Sequence, residues 1–143
     1  MLFSPPSRYA ILALSYMAGQ ETKKPISVST IAAEADVPEK FLAKILITLK
    51  QHGLLKAVKG PGGGYYLNRE ADEICLLDLV EAVEGPNWSD KCVLGLDHCS
   101  DDTPCPLHVE WKRFRLDIKT KIHNVTIQDL ALKLREKRAI LKN

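Results

Sequence analysis

Two short helical patterns open the chain. Apolar residues recur at helical spacing over residues 7–19, which predicts a first helix capped by Ser7 and ended by Gly19. The small residues of 28–35 predict a second short helix, and Asp36-Val37-Pro38 breaks it because proline cannot continue a helical hydrogen-bond ladder. We therefore expect two helices separated by the polar stretch QETKKP.

A third helical pattern, over residues 39–52, follows the break at Pro38. Its apolar residues fall on one side of the predicted helix, namely Leu42, Ile45, Leu46 and Leu49. Lys40, Ala43 and Lys44 lie on the other side, which is partly basic. Two helices joined by a tight turn indicate a helix-turn-helix, although an ordinary helical hairpin with a solvated basic face fits this segment equally well.

The glycine-rich segment that follows favours the first alternative. The strand-like runs LLKAV and GYYL flank Lys59, Gly60, Pro61 and Gly62, and this pattern predicts a hairpin with a glycine tip. The stretch lacks the Gly-Lys-Ser/Thr ending of a nucleotide-binding loop, and a strand follows it instead of a helix. A helix-turn-helix followed by a hairpin is a winged helix, whose recognition helix enters the major groove of double-stranded DNA while the wing contacts the neighbouring backbone.

The second half predicts three further helices. Residues 72–84 are amphipathic, with Cys75 interpreted as a core residue. A long helix is expected from Pro106 to Asn124, and Thr126-x-x-Asp129 resembles a capping box that opens the last helix. The long helix has little core left to join within its own chain. We therefore expect a homodimer that addresses two half-sites of a palindromic DNA site, about 34 Å apart.

Composition and charge indicate which half of the chain binds an anionic partner and in which compartment the protein is expected. The 143 residues carry a net charge of +2, but residues 1–70 hold nine lysines and arginines against five acidic residues, whereas residues 71–143 hold eleven against thirteen. The basic half is the one with the helix-turn-helix. The apolar run 9–18 lacks the basic cluster and cleavage site of a signal peptide and is too short to span a membrane. We expect a buried helix in a cytoplasmic protein, where clustered cysteines favour metal over disulfides.

Three of the four cysteines cluster in the segment CVLGLDHCSDDTPCPLH. Cys92, Cys99, Cys105 and His108 form the spacing C-x6-C-x5-C-x2-H, and further donors stand among them at Asp97, His98, Asp101 and Asp102. Such a set suits an iron–sulfur cluster or a structural zinc ion, and it also suits reduced thiols that form a disulfide switch. Cys105 and His108 could pair as nucleophile and base, but no catalytic signature surrounds them, so no enzyme is indicated.

The chain resembles the Rrf2 family of IscR/NsrR-type bacterial transcription regulators. The matching segments run over nearly the whole sequence and are SRYAILAL, VKGPGGGYYL, LVEAVEG, the three cysteines of residues 92–105, and NVTIQDL. The resemblance implies dimeric winged-helix regulators, many of which carry a 2Fe–2S or 4Fe–4S cluster whose changes alter DNA binding.

The resemblance also implies roles for individual residues. Cys92, Cys99 and Cys105 match the three cysteine ligands of the family, and His108 matches the fourth ligand of the IscR subgroup. Other subgroups take the fourth ligand from near the N-terminus, where this chain offers Arg8, a poor ligand. The first cysteine gap is one residue longer than the common IscR spacing, which leaves open the cluster type and the subgroup.

The sequence thus predicts a mainly α fold with a small β-hairpin wing. A winged helix-turn-helix domain is expected over residues 1–85, a cysteine-rich cluster-binding loop over 86–105, and a long dimerisation helix with a C-terminal helix over 106–143. The predicted DNA contacts are Lys40, Ala43, Lys44, Lys59, Gly60, Pro61 and Gly62. The alternative function is a zinc-stabilised structural or protein-interaction module, or a thiol-switch regulator without a cluster.

Overall fold

A buried helix near the N-terminus organises the fold, and in this computed structural model four other helices pack against it. The structure describes residues 3–97 and 99–142, with side chains as far as residue 137. The helices and strands of the described chain, in order, are α1 (Pro5–Ala18), α2 (Val28–Ala35), α3 (Glu39–Gln51), β1 (Leu55–Val58), β2 (Gly64–Leu67), α4 (Leu76–Glu84), a short 3-10 helix (Trp88–Asp90), α5 (His108–His123) and α6 (Ile127–Lys142). The prediction of a mainly α fold with a two-stranded wing is confirmed.

Helix α1 begins earlier than its apolar pattern suggested. Pro5 and Pro6 occupy the first turn, where a missing N–H costs no hydrogen bond, and Ser4 is the N-cap residue. The prediction that Ser7 caps this helix was wrong. Ser7 lies inside the helix and is fully buried, and its hydroxyl donates to Glu84 Oε1 over 2.7 Å.

The helix-turn-helix has the break that the sequence predicted at Asp36-Val37-Pro38, and it also has an N-cap that the sequence analysis did not name. The Ser27 hydroxyl accepts a hydrogen bond from the Thr30 amide at the start of α2. Asp36 ends α2 in the left-handed conformation, with φ of 56°, and Pro38 then precedes α3 as its N-cap. The fully buried side chains of α3 anchor it to the core, and they are Leu42, Leu46 and Leu49.

The wing is an antiparallel hairpin, and a single residue of a third segment pairs with its second strand. Leu55 pairs with Leu67 and Val58 with Gly64. Ile26, in the segment before α2, exchanges two backbone hydrogen bonds of 2.8 Å with Tyr65. This bridge fixes the hairpin beside the helix-turn-helix, and no pattern in the sequence had indicated it.

The predicted helix over 72–84 is shorter than expected. Residues 72–75 are not helical, and Cys75 is the N-cap of α4 in a capping box with Asp78. Cys75 also forms a β-bridge with Thr126, which ties the start of α4 to the turn between α5 and α6. The interpretation of Cys75 as a core residue was wrong, because it is only half-buried and its Sγ lies 3.8 Å from His123 Nδ1.

The two C-terminal helices have different surroundings. The capping box of α6 is confirmed, since the Thr126 amide donates to Asp129 over 2.9 Å and the Asp129 amide donates to Thr126 over 3.1 Å. Helix α6 packs against α1 and buries Ile127 and Ala131. Helix α5 packs against α4 and the 3-10 helix, with only His108 and Ile122 buried. The division into three parts at residues 85 and 105 stays a prediction.

Within residues 3–97 and 99–142, no helix combines the length and the apolar character needed to cross a membrane.

Candidate DNA-binding surface and cysteine site

The outward side of α3 carries the predicted contacts of a recognition helix. Lys40 and Lys44 are exposed, Ala43 is half-buried between them, and Ile47 continues the same side with 49% of its surface exposed. In the part of the chain that the structure describes, neither lysine belongs to any of the ion pairs found. This side of α3 therefore presents two exposed positive charges beside small and apolar groups.

The wing tip projects with its predicted residues exposed. Lys59, Gly60, Pro61 and Gly62 are all exposed, and the Gly63 amide closes a turn onto the Gly60 carbonyl over 2.9 Å. Gly60 and Gly62 have φ of 90° and 74°, conformations that side chains disfavour. The glycines thus allow a tight tip whose backbone and one lysine are open to a partner.

The cysteine-rich loop joins the 3-10 helix to α5. Cys92, Cys99 and Cys105 are free thiols and half-buried. Helix α5 begins at His108, slightly later than the expected start at Pro106, and the His108 amide donates to the Cys105 carbonyl over 3.0 Å. His108 is 5% exposed, so the fold buries the one imidazole at the helix entrance. His98, named above as a further donor, lies outside the described residues.

A chain of side-chain contacts starts from Cys99. Its Sγ lies 3.4 Å from His108 Nδ1, and His108 Nε2 lies 2.7 Å from Asp101 Oδ1. Lys112 Nζ donates to both Asp101 oxygens, over 3.1 and 2.9 Å. Hydrogen bonds from His108 and then Lys112 lower the pKa of the Asp101 carboxyl, which keeps this group ionised.

The two ring nitrogens of His108 face different partners, Asp101 at Nε2 and Cys99 at Nδ1. Because Asp101 can only accept, His108 Nε2 must carry the proton of this hydrogen bond. In a neutral ring the lone pair is then on Nδ1, the atom that faces Cys99. Metal-binding histidines usually donate their other ring N–H to a carboxylate in this way.

These residues fit a metal or cluster in donor chemistry and in the geometry of one pair. Two ligands of one tetrahedral ion, with bonds of about 2.3 Å to sulfur and 2.0 Å to nitrogen, lie about 3.5 Å apart. The 3.4 Å between Cys99 Sγ and His108 Nδ1 agrees with that value. Across the described residues, however, no three histidine, cysteine or acidic side chains converge as a ligand set, so Cys92 and Cys105 stand apart from the pair.

The sequence analysis did not single out Asp101 as the residue that contacts His108, and it did not name Lys112. Asp101 was one of several possible donors, and nothing in the sequence favoured it over Asp97 or Asp102. A signal for Lys112 did exist, because it follows His108 by four residues and therefore lies on the same side of α5. The suggestion that Cys105 pairs with His108 fails, since the thiol in hydrogen-bond contact with that ring belongs to Cys99.

The fold and the basic surface define a winged-helix DNA-binding protein. Residues 3–133 match the family model Rrf2, described as an iron-dependent transcriptional regulator, and the chain belongs to this family.

Relatives and solved structures agree with this assignment. A protein of Aquifex aeolicus that is named as an HTH-type transcriptional regulator is 35% identical over 132 residues, and the match covers 91% of each chain. The HTH-type transcriptional regulator IscR of Sodalis glossinidius is 28% identical and is matched over 91% of this chain and 78% of its own. The structure of CymR, the global cysteine regulator of B. subtilis, superposes with a TM-score of 0.74 at 29% identity, over 92% of this chain and 96% of that chain.

These matches establish the general function. The protein is a DNA-binding transcriptional regulator of the Rrf2 family and not an enzyme.

Proposed function

We propose that this protein is a dimeric regulator whose promoter binding is switched by an iron–sulfur cluster held by Cys92, Cys99, Cys105 and His108. The observation that carries the proposal is the buried His108 ring, which presents Nδ1 to the Cys99 thiol at a distance suited to shared ligation. Such a cluster would supply redox and nitric-oxide chemistry and would respond to the supply of iron.

The DNA contacts follow from the surface of α3 and the wing. Lys40 and Lys44 suit phosphate oxygens or the O6 and N7 acceptors of guanine, and the methyl group of Ala43 suits a thymine methyl. Lys59 and the backbone of Gly60, Pro61 and Gly62 suit the phosphates beside the groove. Reading of bases thus falls to α3, and the wing contributes affinity.

The proposed partner in the dimer is a second copy of α5. Its exposed apolar side chains Val109 and Leu116, which expose 59% and 64% of their surfaces, are seven residues apart and therefore share one side of the helix. A helix of 16 residues is about 24 Å long, enough to pair along its length with the same helix of a partner. The arrangement supports an isologous contact, which suits a palindromic DNA site.

The position of the cysteine loop supports coupling between the two functions. Trp111 Nε1 donates to the Lys91 carbonyl over 2.9 Å, and Arg115 donates to the Ser89 carbonyl over 2.9 Å. Helix α5 is therefore hydrogen-bonded to the segment in which the cysteine loop begins. Movement of Cys92 and Cys105 toward the Cys99–His108 pair would pull on α5 and shift the spacing of the two recognition helices. A coupling of about 1–3 kcal/mol would change DNA affinity by roughly 5–150-fold.

The first test is elemental analysis of anaerobically purified protein together with its visible spectrum. We expect iron and inorganic sulfide in equal amounts, with charge-transfer absorption that air or nitric oxide bleaches. A colourless protein that holds one zinc per chain would reject the cluster and support the zinc-stabilised module. Gel shifts with the protein's own upstream DNA, before and after loss of the cluster, then test the switch.

The fourth ligand is tested by His108→Ala. Loss of a ligand should weaken the cluster and change its spectrum, whereas the dimer survives because His108 is not among the exposed apolar residues of α5. His52→Ala is the matched control, since His52 is exposed and its ring lies 2.9 Å from the Thr48 carbonyl at the end of its own helix, far along the chain from the cysteines. An unchanged spectrum in His108→Ala would assign the fourth ligand elsewhere.

The wing is tested by Lys59→Ala. A lysine that neutralises one phosphate contributes about 0.9 to the slope of log affinity against log salt, so the slope should flatten by that amount for every DNA sequence. Lys133→Ala, which removes an exposed charge of α6, serves as the control. Unchanged affinity and slope in Lys59→Ala would show that the wing makes no phosphate contact through this residue.

A second candidate is a regulator that senses oxidation through its thiols without a cluster. The separation of Cys92 and Cys105 from the Cys99–His108 pair favours it, as does the likeness to CymR, a protein described as a cysteine regulator. Mass spectrometry of the oxidised protein decides between the two. A disulfide within residues 92–105 that changes DNA affinity, in a protein that takes up neither iron nor sulfide, would establish this alternative.

A further inference from the structure

The contact between Asp101 and His108 has a feature that an ordinary surface ion pair lacks. The carboxylate is largely exposed, yet its imidazole partner is only 5% exposed at the start of α5. An exposed pair such as Asp101–Lys112 contributes little to stability by itself. The same carboxylate, however, is the partner of His108 Nε2 and thereby determines which nitrogen of a buried ring is free.

We propose that Asp101 is a positioning residue, which fixes the ring orientation and the Nε2–H tautomer of His108 so that Nδ1 is presented for ligation beside Cys99. The proposal rests on the proposed function for the identity of the bound group, but the geometry of the ring does not depend on it. Asp101 acts through His108 and is not itself assigned as a ligand.

Lys112 holds the Asp101 carboxylate in position beside His108. His108 and Lys112 are four residues apart on α5 and therefore adjacent on its surface, and the carboxylate bridges them with contacts of 2.7 Å and 2.9 Å. The loop is thus clamped to the first turn of α5 through one residue. A carboxylate held by two partners keeps its orientation, whereas a freely rotating one would allow both tautomers of the ring.

The neighbouring carboxylate provides a matched comparison. Asp102 is exposed in the same loop, and only its backbone amide makes a described hydrogen bond, to Ser100 Oγ over 3.1 Å. Asp101→Ala and Asp102→Ala change the net charge equally and at adjacent positions. Any effect on His108 that is present in the first variant and absent from the second comes from the carboxylate contact.

The first experiment uses the full-length reduced protein without metal and records long-range ¹H–¹⁵N correlations of His108. We expect the Nε2–H tautomer in the wild type and in Asp102→Ala, and a mixture of tautomers in Asp101→Ala. A wild-type ring in the Nδ1–H form, or identical His108 spectra for both variants, would overturn the proposal. Because no metal is involved, this result is independent of what the site binds.

The second experiment reconstitutes the same three proteins with iron and sulfide and follows loss of visible absorption to a chelator. Loss of a carboxylate partner of a ligating histidine typically weakens metal sites about 10–100-fold, so the cluster of Asp101→Ala should be lost at least about tenfold faster than that of Asp102→Ala. Equal rates would overturn the role of Asp101 at the cluster. If the wild type takes up no iron, the proposed cluster switch fails while the tautomer result still decides the positioning role.

Discussion

Glu84 fixes the N-terminal end of α1 to the C-terminal end of α4. Its Oε1 accepts hydrogen bonds of 2.7 Å from the Ser4 amide and from the Ser7 hydroxyl, and a further one from the Ser4 hydroxyl. Partial burial by itself raises the pKa of the Glu84 carboxyl, but the hydrogen bonds from Ser4 and Ser7 outweigh it and hold this pKa below its usual value. The charged carboxylate therefore stabilises the fold.

Removal of this charge should destabilise the protein in a pH-dependent way. Glu84→Gln keeps an acceptor oxygen but loses the charge, and we expect a loss of about 1 kcal/mol at neutral pH after allowance for solvent screening. Since the folded pKa is lowered, the advantage of the wild type is fully present above the unfolded value of 4.5 and disappears as the pH falls through the folded pKa. Urea unfolding at pH 7 and pH 3 measures both differences.

Glu73→Gln is the control for this prediction. Glu73 is exposed, and its one described hydrogen bond runs from its backbone amide to the Glu70 carbonyl. We expect the unfolding free energy of Glu73→Gln to equal that of the wild type at both pH values. A Glu84→Gln deficit of the same size at pH 3 as at pH 7 would contradict the assigned role of the charge.

At the scale of elements, the wing uses its glycines for two different reasons. At Gly62 the φ of 74° is the constraint, and the space around the position is open. At Gly64 the close approach of another backbone is the constraint, since a Cβ there would lie 2.1 Å from the Ile26 carbonyl oxygen. The tip glycine therefore shapes an exposed loop, whereas Gly64 allows the Ile26–Tyr65 bridge that holds the wing to the helix-turn-helix.

These two glycines should respond differently to alanine. Gly64→Ala forces the Ile26 backbone away and should cost about 2–4 kcal/mol of unfolding free energy, with weaker DNA binding because the wing loses its support. Gly62→Ala meets only the strain of the left-handed conformation and should cost about 1 kcal/mol. Chemical denaturation compares the two variants, and equal costs would mean that the Ile26 contact does not constrain the wing.

At the scale of the whole molecule, α5 is the element whose packing is incomplete. It lies on α4 and the 3-10 helix, but its apolar side chains Val109 and Leu116 are 59% and 64% exposed. The same helix carries His108 at its start and is tied to the cysteine loop through Trp111. The proposed dimer contact and the proposed sensor thus share one helix, which is why a change in the loop can reach both recognition helices.

The dimer prediction is tested by Leu116→Glu. A charge at a position that is 64% exposed should leave the folded monomer intact but introduce two unpaired charges into a twofold contact. We expect the dimer to weaken by at least about 30-fold, or ~2 kcal/mol, in sedimentation equilibrium. Val58→Glu, at a 46% exposed position on the wing, should remain dimeric. A dimeric Leu116→Glu would exclude this part of α5 from the contact.

Features that depend on neighbouring residues were predicted correctly from the sequence, whereas the starts of two helices were not. The turn at Asp36, the glycine wing and the Thr126–Asp129 capping box were predicted because each depends on residues within a few positions of one another. The starts of α1 and α4 were misplaced. The partner of Ser7 is a glutamate 77 residues away, and Cys75 is held outside α4 by a bridge to Thr126, so neither constraint is visible locally.

The sequence by itself determined the class of this protein, because helical periodicity, proline breaks and glycine turns act over short distances and their order along the chain is that of a winged helix. It also supplied the donors of the candidate site. Only the tertiary structure decided that Cys99 faces His108, that Asp101 and not its neighbours contacts the ring, and that α6 packs on α1 while α5 keeps apolar side chains exposed. These outcomes depend on how distant segments pack, and spacing along the chain does not specify which side chains then meet.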